Sequence, residues 1–313
     1  MGTPEFAVET LKALVENDYN VVAVVTQPDK PVGRHQTEMQ PSQVKQYAVA
    51  HGLPVLQPEK MKDPEFVEQL RSYNANLQVV VAFRMLPEVV WAMPEYGTFN
   101  VHAALLPQYR GAAPINWAVI NGETQTGVTT FFLDHDIDTG RIILKKTFDI
   151  PDEADVEYVY DGLMHLGAEI CLETLEAIVA ANGHPDSIPQ DSVLDGSAIK
   201  PAPKIFKETC EIDWKKTAKQ VYDFVRGLSP YPGAWTTLVA PDGKETVLKI
   251  YKTRKTGKPG KGIGTITIEG KALCVSAADE QLEIVELQLA GKKRMMARDF
   301  LNGMKNIEDY RVK

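Results

Sequence analysis

The chain of 313 residues is long enough for two domains of about 150 residues each, and a hydrophobic content of 44% suffices for a sizeable core. No apolar run approaches the roughly 20 residues of a membrane span, no signal peptide precedes the first helix, and Cys171, Cys210 and Cys274 are too far apart for a Cys-x-x-Cys metal or redox pair, so a soluble cytoplasmic protein with reduced thiols is expected. The net charge of −8 is unevenly divided: residues 1–200 carry 13 Lys and Arg against 28 Asp and Glu, residues 201–313 carry 21 against 14, and such a basic end is suited to a polyanion.

Thr3 as a cap, Pro4 as first helical residue and Glu5 at the positive helix end predict a helix that begins almost at once. Residues 20–25 read as a buried strand, residues 42–51 as a helix and residues 77–83 as a second buried strand. The connection spanning residues 27–41 is too long for a plain strand-to-helix loop. Residues 97–103 form a strand ending at His102, Pro114 opens a helix, and residues 127–133 form a strand followed by a loop carrying Asp138. Val156, Val159, Leu163, Leu166 and Ile170 recur at helical spacing within residues 153–181, predicting a long amphipathic helix over one sheet face. Strands alternating with helices predict an α/β fold with a doubly wound, mainly parallel sheet.

Pro185, Pro189, Pro201 and Pro203 then read as a stiff linker. A helix over residues 217–228 and about five short strands near Trp235, Val247, Thr265, Leu273 and Ile284 predict a small β-barrel of the oligonucleotide-binding type. The expected domains are residues 1–182 for catalysis, 183–208 as linker and 209–313 as a basic barrel.

Candidate chemistry concentrates at Asn100, His102 and Asp138. Side chains alternate along a strand, so Asn100 and His102 share a face and can converge on one carbonyl oxygen. An amide donor, an orientable imidazole and an acid are the parts needed to hold a tetrahedral oxyanion. None of the three is an evident nucleophile, which favours direct transfer to an incoming substrate. Asp134 and Asp136 compete with Asp138 on spacing alone. Ser42-Gln43-Val44-Lys45 and Lys255-Thr256-Gly257 match elements of penicillin-binding proteins, but they lie in different predicted domains and the Ser-Asp-Asn element is missing.

The combination of Asn100-Val101-His102, Leu105-Leu106-Pro107, Arg110-Gly111-Ala112-Ala113-Pro114 and Asp138-Thr139-Gly140 resembles the folate-dependent formyltransferase family. The resemblance extends over nearly the whole chain. It implies that 10-formyltetrahydrofolate is the formyl donor and that no metal takes part. Asn100 and protonated His102 are then donors to the oxyanion, and Asp138 turns the imidazole, keeps it charged and takes the amine proton. Leu105, Leu106, Pro107, Arg110, Gly111, Ala112, Ala113 and Pro114 are implied as the wall around folate and reaction centre. The opening Gly2-Thr3-Pro4-Glu5-Phe6, the loop around Arg34 and the basic tail point within the family to a methionyl initiator tRNA as acceptor. Arg34, Lys204, Lys207, Lys258, Lys261, Lys292, Lys293 and Arg294 are the implied tRNA contacts, and a monomer is expected.

Ala104 stands where the family usually has Ser, and Phe83-Arg84 replaces a Tyr-Gly pair near the folate pocket. Transfer to a small amine, hydrolysis of formylfolate and an inactive RNA-binding module are the competing readings. The family also has a buried strand before Gly-Thr-Pro, so Met1 is expected to be an internal methionine of a longer product and this form to be poorly stable; equal melting of an upstream-extended chain would refute that.

Overall fold

The computed structural model describes residues 1–32, 38–194, 196–304 and 306–313, so Arg34 lies outside the described residues. The chain forms two interleaved compact units. The first comprises Met1–Gly111, Gln125–Asp149 and Tyr160–Pro201; the second comprises Ala112–Thr124, Ile150–Val159 and Ala202–Lys313. These units differ from the divisions expected at residues 182 and 208. Residues 183–201 belong to the first unit because they are bonded into it, with Ile188 and Ile142 exchanging backbone hydrogen bonds of 2.9 Å.

In chain order the first unit contains α1 (Glu5–Glu16), β1 (Val24–Val25), β2 (Lys30–Val32), β3 (Glu38–Gln40), α2 (Gln43–Ala50), β4 (Val55–Leu56), α3 (Pro64–Ser72), β5 (Gln78–Val81), α4 (Glu88–Trp91), β6 (Thr98–His102) and β7 (Arg110–Gly111). After α5 (Pro114–Ile120), β8 (Gln125–Phe132), β9 (Ile142–Asp149) and most of α6 (Val156–Ala180) return to it. Local signals set the helix starts. Ser42 accepts from Lys45 N at 3.1 Å, making the Ser-x-x-Lys match a helix cap, and Asp63 accepts from Glu65 N ahead of Pro64. Thr3 is not a cap: Pro4 occupies that position, and the Thr3 hydroxyl faces Thr26 Oγ1 and Gln27 N instead.

β5 and β6 are parallel, and β1 pairs with β4 in parallel. β8 runs antiparallel to β6, with Phe99 opposite Phe132 and His102 opposite Thr129, and β9 is antiparallel to β8. The sheet is therefore mixed, and the carboxyl ends of β6 and β8 point in opposite directions. A Val/Thr/Phe-rich run has the same pattern in either direction, so only the pairing decides. Loop 133–141 carries Asp138 back to the His102 end of β6.

Of the predicted strand at residues 20–25, only Val24 and Val25 are paired as a strand. Met1 and Gly2 lie between β1 and β5, with Gly2 N donating to Val25 O at 3.0 Å and Val81 N to Met1 O at 2.9 Å. A cleft of about 480 Å³ is lined by Val22, Val24, Val79, Leu175 and Ile178. The Met1 amine donates to Val79 O at 2.7 Å, and burial pulls its pKa down to about 6.

After β10 (Pro201–Ala202), at the boundary of the units, the second unit contains α7 (Ala218–Gly227), whose Thr217–Gln220 capping box satisfies its first turn. Then follow β11 (Ala234–Val239), β12 (Glu245–Pro259), β13 (Ile266–Glu269), β14 (Ala272–Ser276), β15 (Glu280–Leu289), β16 (Met295–Met296), α8 (Ala297–Gly303) and β17 (Arg311–Val312). The antiparallel order is β13-β14-β15-β12-β11-β17, with β16 added on β15, and a bridge between Thr265 and Arg311 joins its ends. The five expected short strands become seven, and β12 is 15 residues long because its exposed Lys-rich half stays paired with β15. Trp214, Val225, Ile250, Leu282 and Leu287 fill the core. Helix α5 buries Ile115, Ala118 and Val119, and Asn116 Nδ2 donates to Gly227 O at 2.9 Å.

Candidate active site

Asn100 and His102 project from one face of β6, while Phe99 and Val101 enter the core between them. His102 is 6% exposed, and its Nε2 lies 2.9 Å from the Tyr109 carbonyl oxygen. A carbonyl only accepts, so Nε2 carries a proton and Nδ1 is the atom turned towards Asp138 Oδ2, 3.9 Å away. The same carboxylate oxygen accepts from Gly111 N at 2.9 Å. Neither carboxamide atom of Asn100 has a hydrogen-bond partner among the described residues, and its Oδ1 is buried. A buried amide without partners is costly in a finished core and useful in a site that receives a polar ligand.

Several contacts shape the loops around these groups. Asp138 has φ +55° and Tyr109 φ +61°, left-handed conformations that non-glycine residues seldom adopt. The Thr129 hydroxyl donates to Ala104 O at 2.6 Å and accepts from Leu106 N at 3.1 Å, pinning the Leu105-Leu106-Pro107 turn to β8. Thus Ala104 contributes its backbone, and its methyl group is fully buried. Gly140 is required because a Cβ there would lie 1.6 Å from Phe132 O, which is backbone and cannot rotate away. Arg84, at the unusual Phe83-Arg84 position, donates to Glu59 O at 2.8 Å and to Pro58 O, and its Nε is buried without a partner among the described residues.

Sequence reasoning missed Gln190. It is 3% exposed in a single 3-10 turn within the proline-rich segment. Its Oε1 accepts from Arg110 Nε at 3.0 Å and Nη2 at 2.7 Å; its Nε2 donates to Asp138 O at 2.8 Å and Gly140 O at 2.9 Å. One amide therefore ties Arg110 to the loop that presents Asp138. Spacing could not have revealed it; the only sequence signal was a glutamine among prolines.

The remaining expected residues separate. Leu106 and Pro107 are buried, Leu105 is half-buried, and Arg110 and Gly111 lie in the first unit; Ala112, Ala113 and Pro114 open α5 in the second. Lys258 and Lys261 both pair with Glu269, whose carboxyl Lys258 holds below its usual range. Arg294 forms a two-bond pair with Glu286 at 2.6 and 2.8 Å and lies 4.1 Å from the Tyr251 ring centroid. Lys204 and Lys207 have no carboxylate partner among the described residues, and Lys292 and Lys293 are exposed on a turn. No helix among the described residues is long and apolar enough to cross a membrane.

The sequence matches the pattern described as formyl transferase over residues 1–175, and that described as formyl transferase, C-terminal domain, over residues 204–305. It is 59% identical to the methionyl-tRNA formyltransferase of Parabacteroides distasonis, over 100% of this chain and 97% of that protein. It is 55% identical to the protein of the same name from Bacteroides fragilis, over 100% of this chain and 96% of that one. In fold it is similar to an N-formyltransferase from Helicobacter canadensis crystallised with folinic acid and dTDP-3-aminofucose, with a TM-score of 0.62, 19% identity, and coverage of 90% of this chain and 96% of that one. The chain belongs to the formyl transferase family.

Proposed function

We propose that this protein transfers the formyl group of 10-formyltetrahydrofolate to the α-amino group of methionine esterified to initiator tRNA, in the cytoplasm, where translation consumes the product. The substrate amine attacks the formyl carbon and a tetrahedral oxyanion forms. The bond from that carbon to N10 of the folate then breaks, the formamide is released, and N10 takes up a proton as tetrahydrofolate leaves. Asn100 Nδ2 and, in the imidazolium form, His102 Nδ1 donate to the oxyanion; two such donors lower the barrier because they are already oriented when the charge develops. Asp138 receives the proton lost by the attacking nitrogen, directly or through one water. The Gly111 N–H fixes that carboxylate, and the Tyr109 carbonyl fixes the ring.

The observation that carries this reading is the unpartnered Asn100 carboxamide on the same strand face as an imidazole held beside a carboxylate. The wall of Leu105, Leu106, Pro107, Arg110, Gly111, Ala112, Ala113 and Pro114 would hold folate, and the basic barrel of residues 209–313 would hold the tRNA. Arg34, Lys204, Lys207, Lys258, Lys261, Lys292, Lys293 and Arg294 are the proposed tRNA contacts. Incubating the protein with 10-formyltetrahydrofolate and either charged initiator tRNA, charged elongator methionine tRNA or a free amino sugar tests the proposal. Formylation confined to the initiator tRNA is expected. Formylation of the amino sugar alone would replace the substrate, and release of formate without an acceptor would make the protein a hydrolase.

A further inference from the structure

In the second unit, a cleft of about 510 Å³ has Phe206, Tyr231 and Trp235 among its lining residues, together with Lys204, Lys207 and Lys249. Tyr231 is 82% exposed and Phe206 55% exposed, an unusual display of ring surface for residues that ordinarily bury their faces. Both rings are carried on backbone that is tied down. The Phe206 carbonyl accepts from Thr209 Oγ1 at 2.8 Å and Cys210 Sγ at 3.2 Å, and the turn bearing Tyr231 is closed by Gly233 N donating to Leu228 O at 2.8 Å. Trp235 is locked by its Nε1 donating to Lys207 O at 2.8 Å, so its ring is fixed in the cleft wall. The lining contains three lysines and no carboxylate. Lys204 Nζ stands 5.5 Å from the Phe206 ring centroid, and Lys249 Nζ donates to the Pro232 carbonyl at 3.2 Å, with no carboxylate partner among the described residues.

Exposed aromatic faces interleaved with unneutralised ammonium groups fit a ligand with flat π surfaces and a repeating negative charge. We infer that this cleft is a stacking platform for unpaired nucleotides of RNA, in which at least one base lies on Phe206 or Tyr231 and the flanking phosphates meet Lys204, Lys207 and Lys249. Base-paired RNA keeps its base faces stacked on one another and cannot offer them to these rings, so the platform selects a single strand. The identification of that strand as part of the tRNA rests on the function proposed above; the binding chemistry does not.

The test uses the full chain without formyl donor, so that RNA binding is read independently of transfer. Fluorescein-labelled octaadenylate and an eight-base-pair RNA duplex serve as probes in anisotropy titrations at several salt concentrations. The single strand should bind more tightly than the duplex. Phe206→Leu and Tyr231→Leu keep apolar bulk at exposed positions but remove the ring, and each should weaken the single strand about five- to a hundred-fold with its salt slope unchanged. Lys204→Ala with Lys207→Ala should instead lower the slope of log affinity against log salt by about 1.4, the value for two phosphates of a single strand. Equal binding of duplex and single strand, or affinities within twofold of the parent for both ring variants, would overturn the assignment. If the ring variants lose octaadenylate while the parent forms no formylmethionyl-tRNA, the platform stands and the substrate assignment falls.

Discussion

Replacing Gln190 by Leu keeps much of the side-chain volume at a site with 3% exposure but removes two acceptor contacts to Arg110 and two donor contacts to Asp138 O and Gly140 O. Hydrogen bonds to a charged group contribute about 1.5–3 kcal/mol and neutral ones about 0.5–1.5 kcal/mol. The bonds share one amide, and the half-buried guanidinium can recover water, so about 3 kcal/mol is a fair total rather than the sum. For a unit near 200 residues that loss lowers the melting temperature by roughly 6–12 °C. The effect on turnover follows a different route. Asp138 holds a left-handed backbone that its neighbours must enforce, and without Gln190 its carbonyl loses the Nε2 bond that fixes that backbone, while the Gly111 N–H still holds its carboxylate. A displacement of about 1 Å costs roughly a hundredfold in rate. We expect kcat to fall about ten- to a hundredfold with little change in KM for the amine, measured well below the lowered melting point. Gln190→Glu, which keeps an acceptor for Arg110 but presents a carboxylate to two carbonyls, should lower stability less than its turnover. A Gln190→Leu protein that melts as the parent does would refute the bonding argument, and one that melts early yet retains full kcat would refute the role given to Asp138.

Asn100→Ala should lower turnover about 10²–10³-fold without loss of fold, and Asp138→Asn should be comparably severe; near-normal single-turnover rates in either would move the chemistry elsewhere. Lys258→Ala with Lys261→Ala should change the salt slope of tRNA binding less than the Lys204/Lys207 pair does, because Glu269 already neutralises part of their charge; filter binding at several salt concentrations reads both. The Met1 amine has a folded pKa of about 6 against 8.0 in the unfolded chain, so the unfolded state holds more proton between these values. Stability from this group is full above pH 8 and lost as pH falls through 6, about 2–3 kcal/mol in all. Urea midpoints of the free and N-acetylated chains should diverge across that window, and parallel pH curves would sink the assignment.

The parts of this protein legible in its sequence are those whose signal is local. The apolar spacing of α6, the alternation that puts Asn100 and His102 on one face, and the capping box of α7 are all written within a few residues. Strand direction was not, because residues 127–133 bury the same side chains whichever way β8 runs. Nor was the length of β12: residues 252–261 alternate charge, glycine and proline, which looks like a loop until β15 is seen beside it. Asp138 could be chosen over Asp134 and Asp136 only through family register. The structure has Asp134 accepting from Thr139 Oγ1 at 2.8 Å, while Asp138 faces His102. Gln190 acts only through partners 50 to 80 residues away, and no pattern within its own segment marks it.

The interleaving of the two units has a consequence for synthesis. Helix α5 and residues 150–159 are made early, yet the α7 surface that accepts Asn116 follows about 100 residues after α5. At about 5–20 residues per second, α5 waits roughly 5–20 s for α7 with Ile115, Ala118 and Val119 uncovered. The apolar face of α5 is thus an inviting grip for a nascent-chain chaperone, and a chain cut after residue 208 would carry that face exposed for its whole lifetime.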